Sequence, residues 1–332
     1  MARWRLLSRA DPVRSWCARL IVMALVSNAS GHGITAFLQD AHAAFPPLEP
    51  GQTVDRALSG GQVLRYSLTL AAGQSATVVV THREIDIIVR VFETRTEPAV
   101  EKASNGPIGE VRLRVRSTRP GSHAIEIAAA YAKSPPGACA IRVTDVRRAT
   151  TIDRQLSDAD GEHSRATRLR TIGAYRDGLE PAERALALRE QALGLDAPEV
   201  ARSLLLLAQL NDGAARFGVA EGLYGRARRI LESQSSDAHD LLKAAILASH
   251  ATHSSTVASF PEAERLAKEA LAIRERILGS DHPLVAASFA TLADIHHAGS
   301  NMQAARVAAD RALAIADRRY AATELADRKS VV

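Results

Sequence analysis

Aromatic side chains are scarce, at 4% of 332 residues, and both tryptophans (Trp4 and Trp16) fall within the first twenty positions. Two cysteines, Cys17 and Cys139, cannot build a disulfide framework or a four-ligand zinc site. No Gly-x-Ser-x-Gly, phosphate-cradling glycine loop, His-Glu-x-x-His or Cys-x-x-Cys occurs, so the common signatures of hydrolase, nucleotide and zinc chemistry are missing. A strong basic stripe is missing too. The net charge of +5 includes +3 from residues 1–43, where five arginines face Asp11 and Asp40, and only +2 remains for residues 44–332. That distribution excludes a nucleic-acid binder of the usual kind. The chain does hold 46% apolar and 24% charged residues over a length that suggests two domains.

Arg3, Arg5, Arg9, Arg14 and Arg19 precede the apolar run Leu20 to Val26, and no charge follows until Asp40. A basic region ahead of an apolar segment is what a secretory signal presents to a membrane. Ser27-Asn28-Ala29 and Ala41-His42-Ala43 both offer small residues for cleavage. Residues 1–43 therefore read as a signal peptide or membrane-targeting leader. The expectation is export to the periplasm or the outside, with a membrane link only where the leader stays uncleaved. Cys139 reads as a small core thiol.

From Gly51 the texture changes to short alternating segments. Leu64, Tyr66, Leu68 and Leu70 share one face, and Val111, Leu113 and Val115 alternate with Arg112, Arg114 and Arg116. Ser75 to Thr81, Ile85 to Phe92, Ser122 to Ala128 and Ala140 to Val146 read as further strands, punctuated by glycine and proline. The pattern predicts an antiparallel β-sandwich of six to eight strands over residues 48–147. Leu48-Glu49-Pro50-Gly51, Gly60-Gly61-Gln62, Leu70-Ala71-Ala72-Gly73-Gln74, Ile85-Asp86-Ile87-Ile88-Val89 and Arg119-Pro120-Gly121-Ser122 carry a resemblance to the pre-peptidase C-terminal type of β-sandwich. Some members of that family bind calcium or carbohydrate and others are spacers. Asp86 and Glu84 stand nearly alone here, so no metal or other cofactor is expected. The arginine row reads as a solvated strand face.

Beyond a linker at 148–160 comes a repeat. Arg184-Ala185-Leu186-Ala187-Leu188 returns as Arg226-Ala227-Arg228-Arg229-Ile230, Glu269-Ala270-Leu271-Ala272-Ile273 and Arg311-Ala312-Leu313-Ala314-Ile315. The shared alanine falls at 185, 227, 270 and 312, steps of 42, 43 and 42. Val200-Ala201, Leu204, Leu207-Ala208 and Leu210 match Val285-Ala286, Phe289, Leu292-Ala293 and Ile295 at an offset of 85. Each unit is a pair of amphipathic helices, and about four units stack over residues 161–326. The fold class is thus α+β multidomain, a β-sandwich followed by an α-α superhelical solenoid. The first unit is the weakest, with Leu169, Ile172 and Tyr175 as its apolar markers, and the third lacks a clear Leu-Ala pair in Leu241 to Thr252.

Leu278-Gly279-Ser280-Asp281-His282-Pro283-Leu284-Val285-Ala286, repeated as Leu193-Gly194-Leu195-Asp196-Ala197-Pro198-Glu199-Val200-Ala201, is similar to the inter-repeat loop of kinesin light chain-type tetratricopeptide repeats (TPRs). The resemblance implies an inner groove of leading helices that takes a protein or peptide. The paired asparagines that hold a peptide backbone in that family are Leu205-Leu206 and Ala290-Thr291 here, which leaves an apolar or helical ligand. Groove candidates by helical spacing are Arg202, Gln209, Asp294 and His297.

His250 and His253 lie three apart on one helix with no third ligand evident, and adjacent His296 and His297 diverge, so no metal site is expected. The reading is a non-catalytic interaction scaffold, not an enzyme. The order of modules also resembles bacterial proteins that end in a CHAT domain (a caspase-like peptidase fold), which makes a truncated regulatory half the alternative. The last six residues, 327–332, are too few to cap the array and read as a non-native tail.

Overall fold

The structure is a computed structural model that describes residues 45–93, 98–104, 107–232, 234 and 236–329, with side chains as far as 318. The leader, both tryptophans and Cys17 lie outside the described residues. Eight strands come first: β1 (Thr53–Leu58), β2 (Val63–Leu70), β3 (Gln74–Arg83), β4 (Ile87–Phe92), β5 (Val100–Ala103), β6 (Ile108–Arg116), β7 (Gly121–Ala129) and β8 (Gly137–Arg148). They form two four-stranded antiparallel sheets, ordered β1-β8-β3-β6 and β2-β7-β4-β5. Period-two alternation sends Val78, Val80, Leu113, Ile141 and Val143 inward from one sheet, and Leu68, Val89, Ile125 and Ile127 from the other. β1 and β5 carry too little alternation to read from sequence; β1 is an edge strand and β5 is four residues long.

The residues read as a linker are mostly helix. β8 runs to Arg148, Ala149 N–H bonds Gly73 O at 2.9 Å, and Thr150 caps the first helix in a reciprocal capping box with Asp153. Eight helices follow: α1 (Thr151–Thr171), α2 (Tyr175–Leu193), α3 (Pro198–Gly213), α4 (Phe217–Glu232), α5 (Asp237–Thr256), α6 (Phe260–Leu278), α7 (Pro283–Ala298) and α8 (Met302–Lys329). Gly194 and Gly279, at φ +85° and +79°, end α2 and α6, and Pro198 and Pro283 open α3 and α7. Within each pair the turn passes through one left-handed residue: Gly173, Ala215, Ala258 and Ser300. Only the first is glycine, so this beat of the repeat is silent in the sequence.

Each leading helix (α1, α3, α5, α7) packs on the next leading helix as well as on its own trailing helix, which curves the array with the leading helices inside. Alanines at 201, 208, 220, 227, 251, 263 and 270 are buried where the helices cross. In α1 the apolar contacts come from Leu156, Ala159 and Ala166, while Ile172, expected to mark this helix, is 76% exposed. The expectation failed because Ile172 is the C-cap of α1, in the turn past its last helical residue, and Tyr175 already belongs to α2.

Candidate protein-binding face

Three joints hold successive helix pairs together, and each buries polar chemistry. At the first, Arg189 of α2 donates to Ser203 Oγ of α3 at 2.6 Å and to Asp160 of α1 at 2.6 Å. At the third, Arg274 of α6 reaches Ser288 Oγ of α7 at 2.7 Å. Between them, His253 of α5 has Nδ1 2.6 Å from Asp212 and Nε2 3.2 Å from Glu221 of α4, which also meets His250 Nε2 at 2.9 Å. Tyr224 completes this joint, donating to Asp212 at 2.8 Å and stacking on the His250 ring.

The carboxylates that His250 and His253 lacked in the sequence therefore arrive from neighbouring helices. Both Nε2 atoms nevertheless meet a single oxygen of Glu221, which fills the space between them. Among the described residues no group of three or more His, Cys, Asp or Glu is arranged to hold a metal ion. His250-Ala251 also stands one 42- or 43-residue step from Leu207-Ala208 and Leu292-Ala293, so histidine replaces the leucine of the missing Leu-Ala pair.

The four groove candidates lie on two leading helices rather than in one cluster. Arg202 is half-buried on α3, where burial and the nearby Arg189 cation lower its pKa against the pull of Glu199 and Asp160. The neighbour that sequence reasoning missed is Lys102 of β5. Its ammonium donates to Arg112 O at 3.1 Å and is pushed down to about 8, first by burial and then by the Arg202 charge. His163 of α1 shares this corner and is held well below its ordinary value by burial and by Arg189, Arg202, Lys102 and Arg170. So the α1–α3 end of the inner face is a seam with the sandwich.

Further along, Gln209 donates to Ser249 of α5 at 2.9 Å. On α7, Asp294 and His297 are exposed at the surface. Partial desolvation raises the Asp294 pKa, and His297, one turn on, opposes that shift. The sequence motif Asp281-His282-Pro283 does more than open α7. Leu284 N–H donates to His282 Nδ1 at 3.1 Å, and His282 Nε2 lies 3.0 Å from Asp86 of the sandwich. Asp86 is thus not solitary; its partner is 196 residues away in the chain. Cys139 is 1% exposed and its thiol is pushed up to about 11 by burial, the reverse of an activated thiolate.

Residues 242–318 match the tetratricopeptide repeat family. Comparison with curated proteins returns no match. Among solved structures, BtubC (BKLC) from P. vanneervenii is 20% identical, covering 52% of this chain and 67% of its own, with a TM-score of 0.45. A kinesin light chain protein of Podosopora anserina with nearly identical TPR-like repeats is 22% identical, covering 49% of this chain and 76% of its own, TM-score 0.41. The pre-peptidase C-terminal domain of collagenase from Bacillus anthracis is 16% identical, covering 30% of this chain and 92% of its own, TM-score 0.25. An antiparallel two-sheet β region followed by eight helices in TPR-like pairs is the architecture of the described residues.

Proposed function

We propose that the chain is an exported, non-catalytic scaffold that binds a protein or peptide along the inner face of its leading helices. One observation carries this reading. Beyond the seam at Arg202, the inner face continues as a row of partly open side chains, from Leu205 and Gln209 through Ser249 to Asp294 and His297. A stacked array offers such a row as an extended concave surface. Its mixture of apolar, amide and charged groups suits a segment held by side-chain contacts. The buried Cys139 thiol and the absence of nucleophile–base signatures support a binding role over a catalytic one. The basic and then apolar order of residues 1–43 supports export.

A photo-crosslinking residue at His297 should trap a partner in the native host, and charge reversal Asp294→Lys should reduce the yield with helicity unchanged. Equal yields from His297 and from Arg306, on the outer helix α8, would overturn the reading. For export, the mature amino terminus should begin after Ala29 or Ala43. Secreted protein should then emit as tyrosine alone, since both tryptophans precede those points.

A further inference from the structure

The sandwich touches the solenoid at both ends of the array. On α1 the contact is broad: Ser164 Oγ accepts from Glu101 N–H at 3.0 Å, Arg168 donates to Pro98 O at 3.1 Å, and Arg116 pairs with Asp158. The chain passes from β8 into α1 almost directly, and Arg147 pairs with Asp153 across that passage. At the far end the described contacts include a buried polar pair, Asp86 with His282, whose side chains are 5% and 4% exposed. Beside it, Tyr131 of the β7–β8 loop lies near Arg274 of α6.

The hydrogen bonds of His282 define its role. Because Nδ1 accepts from Leu284 N–H, the remaining ring proton sits on Nε2 and is donated to the Asp86 carboxylate. Lost from either side, this bond would leave a desolvated donor or carboxylate without its partner. Asp86 is positioned from behind: Ala130 N–H bonds its carbonyl at 2.8 Å, and Glu84, at φ +65°, bends the chain into the turn that precedes it. The equivalent loop between α2 and α3 carries Ala197 where His282 stands, so the same signature has no such side chain there.

We propose that the sandwich is a brace fixed to the first helix pair, and that Asp86–His282 is the latch tying the fourth pair back to it. A stack of helix pairs is elastic because each pair contacts only its neighbours. A tie from the first pair to the fourth, through a rigid sandwich, therefore sets how far the array closes. Release of the latch lets α7 and α8 swing away from α1 and widens the inner face between them. The functional meaning rests on the proposal that this face takes a partner; the latch itself does not.

The test uses the full chain with Cys17 replaced, spin labels on Arg176→Cys in α2 and Arg306→Cys in α8, and pulsed dipolar distance measurement. Cys139 is buried and stays unlabelled. The parent should give one narrow distribution, and Asp86→Ala should give a broader one with a longer mean. His282→Asn keeps a favoured cap residue at the start of α7 but loses the reach to Asp86, and should do the same. Far-UV dichroism unchanged in both variants would show that the repeats remain folded. Distributions matching the parent in His282→Asn would overturn the latch even if Asp86→Ala disrupted the sandwich. No partner is present, so a failure to crosslink a ligand and a failure of the latch are separate results.

Discussion

The first and third joints of the solenoid use the same two residues 85 positions apart, Arg189 with Ser203 and Arg274 with Ser288, yet their electrostatics differ. Arg189 has a carboxylate: Asp160 meets the other arm of its guanidinium at 2.6 Å, with side chains 5% and 16% exposed. Arg274 is bound by neutral acceptors, Ser288 Oγ and Leu284 O at 3.3 Å, and no carboxylate among the described residues pairs with it. Burial pulls its pKa down to about 10, with Tyr131 opposing. The comparison separates two ways of burying a guanidinium. One compensates the charge, and the other spreads it over dipoles at a desolvation cost. The compensated joint is also the one crowded by Lys102 and Arg202, where a further uncompensated cation would be least tolerable.

The sharpest way to break that comparison is to remove the compensation. Asp160→Asn leaves Arg189 buried beside two other cations and is expected to cost about 3 kcal/mol in urea unfolding. Arg274→Met removes a charge that lacks a counterion, while Ser288 Oγ still donates to Leu284 O at 3.0 Å. Its expected change is within about 1 kcal/mol, of either sign. Equal losses from the two variants would show that the joints are equivalent despite Asp160.

Acid should act next most strongly, and on both halves of the chain. His82 and His123 in the sandwich are lowered chiefly by burial, and His163 at the seam by burial together with the surrounding cations. A histidine with a folded pKa below its unfolded value binds protons more readily when unfolded. Its neutral form therefore favours the fold above about pH 6.5, and that contribution is lost as pH falls below 6.5 toward the folded value. Each such group contributes a slope of about 1.4 kcal/mol per pH unit inside its window. His163→Gln should flatten the pH dependence of unfolding between about 6.5 and 5. A slope identical to the parent's would remove His163 from the account.

The middle joint offers a smaller effect in the opposite direction. His250 stands in a leucine position, with Nδ1 buried and unpartnered and its other nitrogen held by Glu221. His250→Leu restores the Leu-Ala pair of the second and fourth units and removes an unsatisfied polar atom. The expected gain is about 1 kcal/mol, read as a higher melting temperature. A loss would mean that stacking on Tyr224 and the bond to Glu221 outweigh the orphaned nitrogen.

These joints also mark how far the sequence could be read. Period-two alternation and the 42-residue step were enough to predict a sandwich and stacked helix pairs, because both report which face is apolar. Glycine and proline at 194, 198, 279 and 283 placed two of the inter-repeat turns. Hidden were features that depend on which polar groups meet across the fold. Nothing near Asp86 in sequence announces His282, and nothing near His253 announces Asp212. The linker reading at 148–160 failed for a related reason: the polar face of α1 resembles a solvated segment until the sandwich is set against it. Of the groove candidates, Arg202 proved to border Lys102, a strand residue that no helical spacing could indicate.

The smallest expected effect concerns three glycines inside α4. Gly218, Gly222 and Gly225 sit in one helix, and a Cβ at Gly218 or Gly222 would meet nothing within 4 Å. Gly222→Ala should therefore stabilise by up to about 1 kcal/mol through helix propensity alone. Other helical glycines predict the opposite. At Gly178 a Cβ would come within 2.6 Å of Leu210, and at Gly213 within 2.3 Å of the Tyr175 ring. Gly178→Ala should lose stability, because Leu210 is fully buried and has little room to move. Measured in the same background, the two alanines should shift the urea midpoint in opposite directions. A loss at Gly222 would mean that something outside the described contacts approaches α4 there.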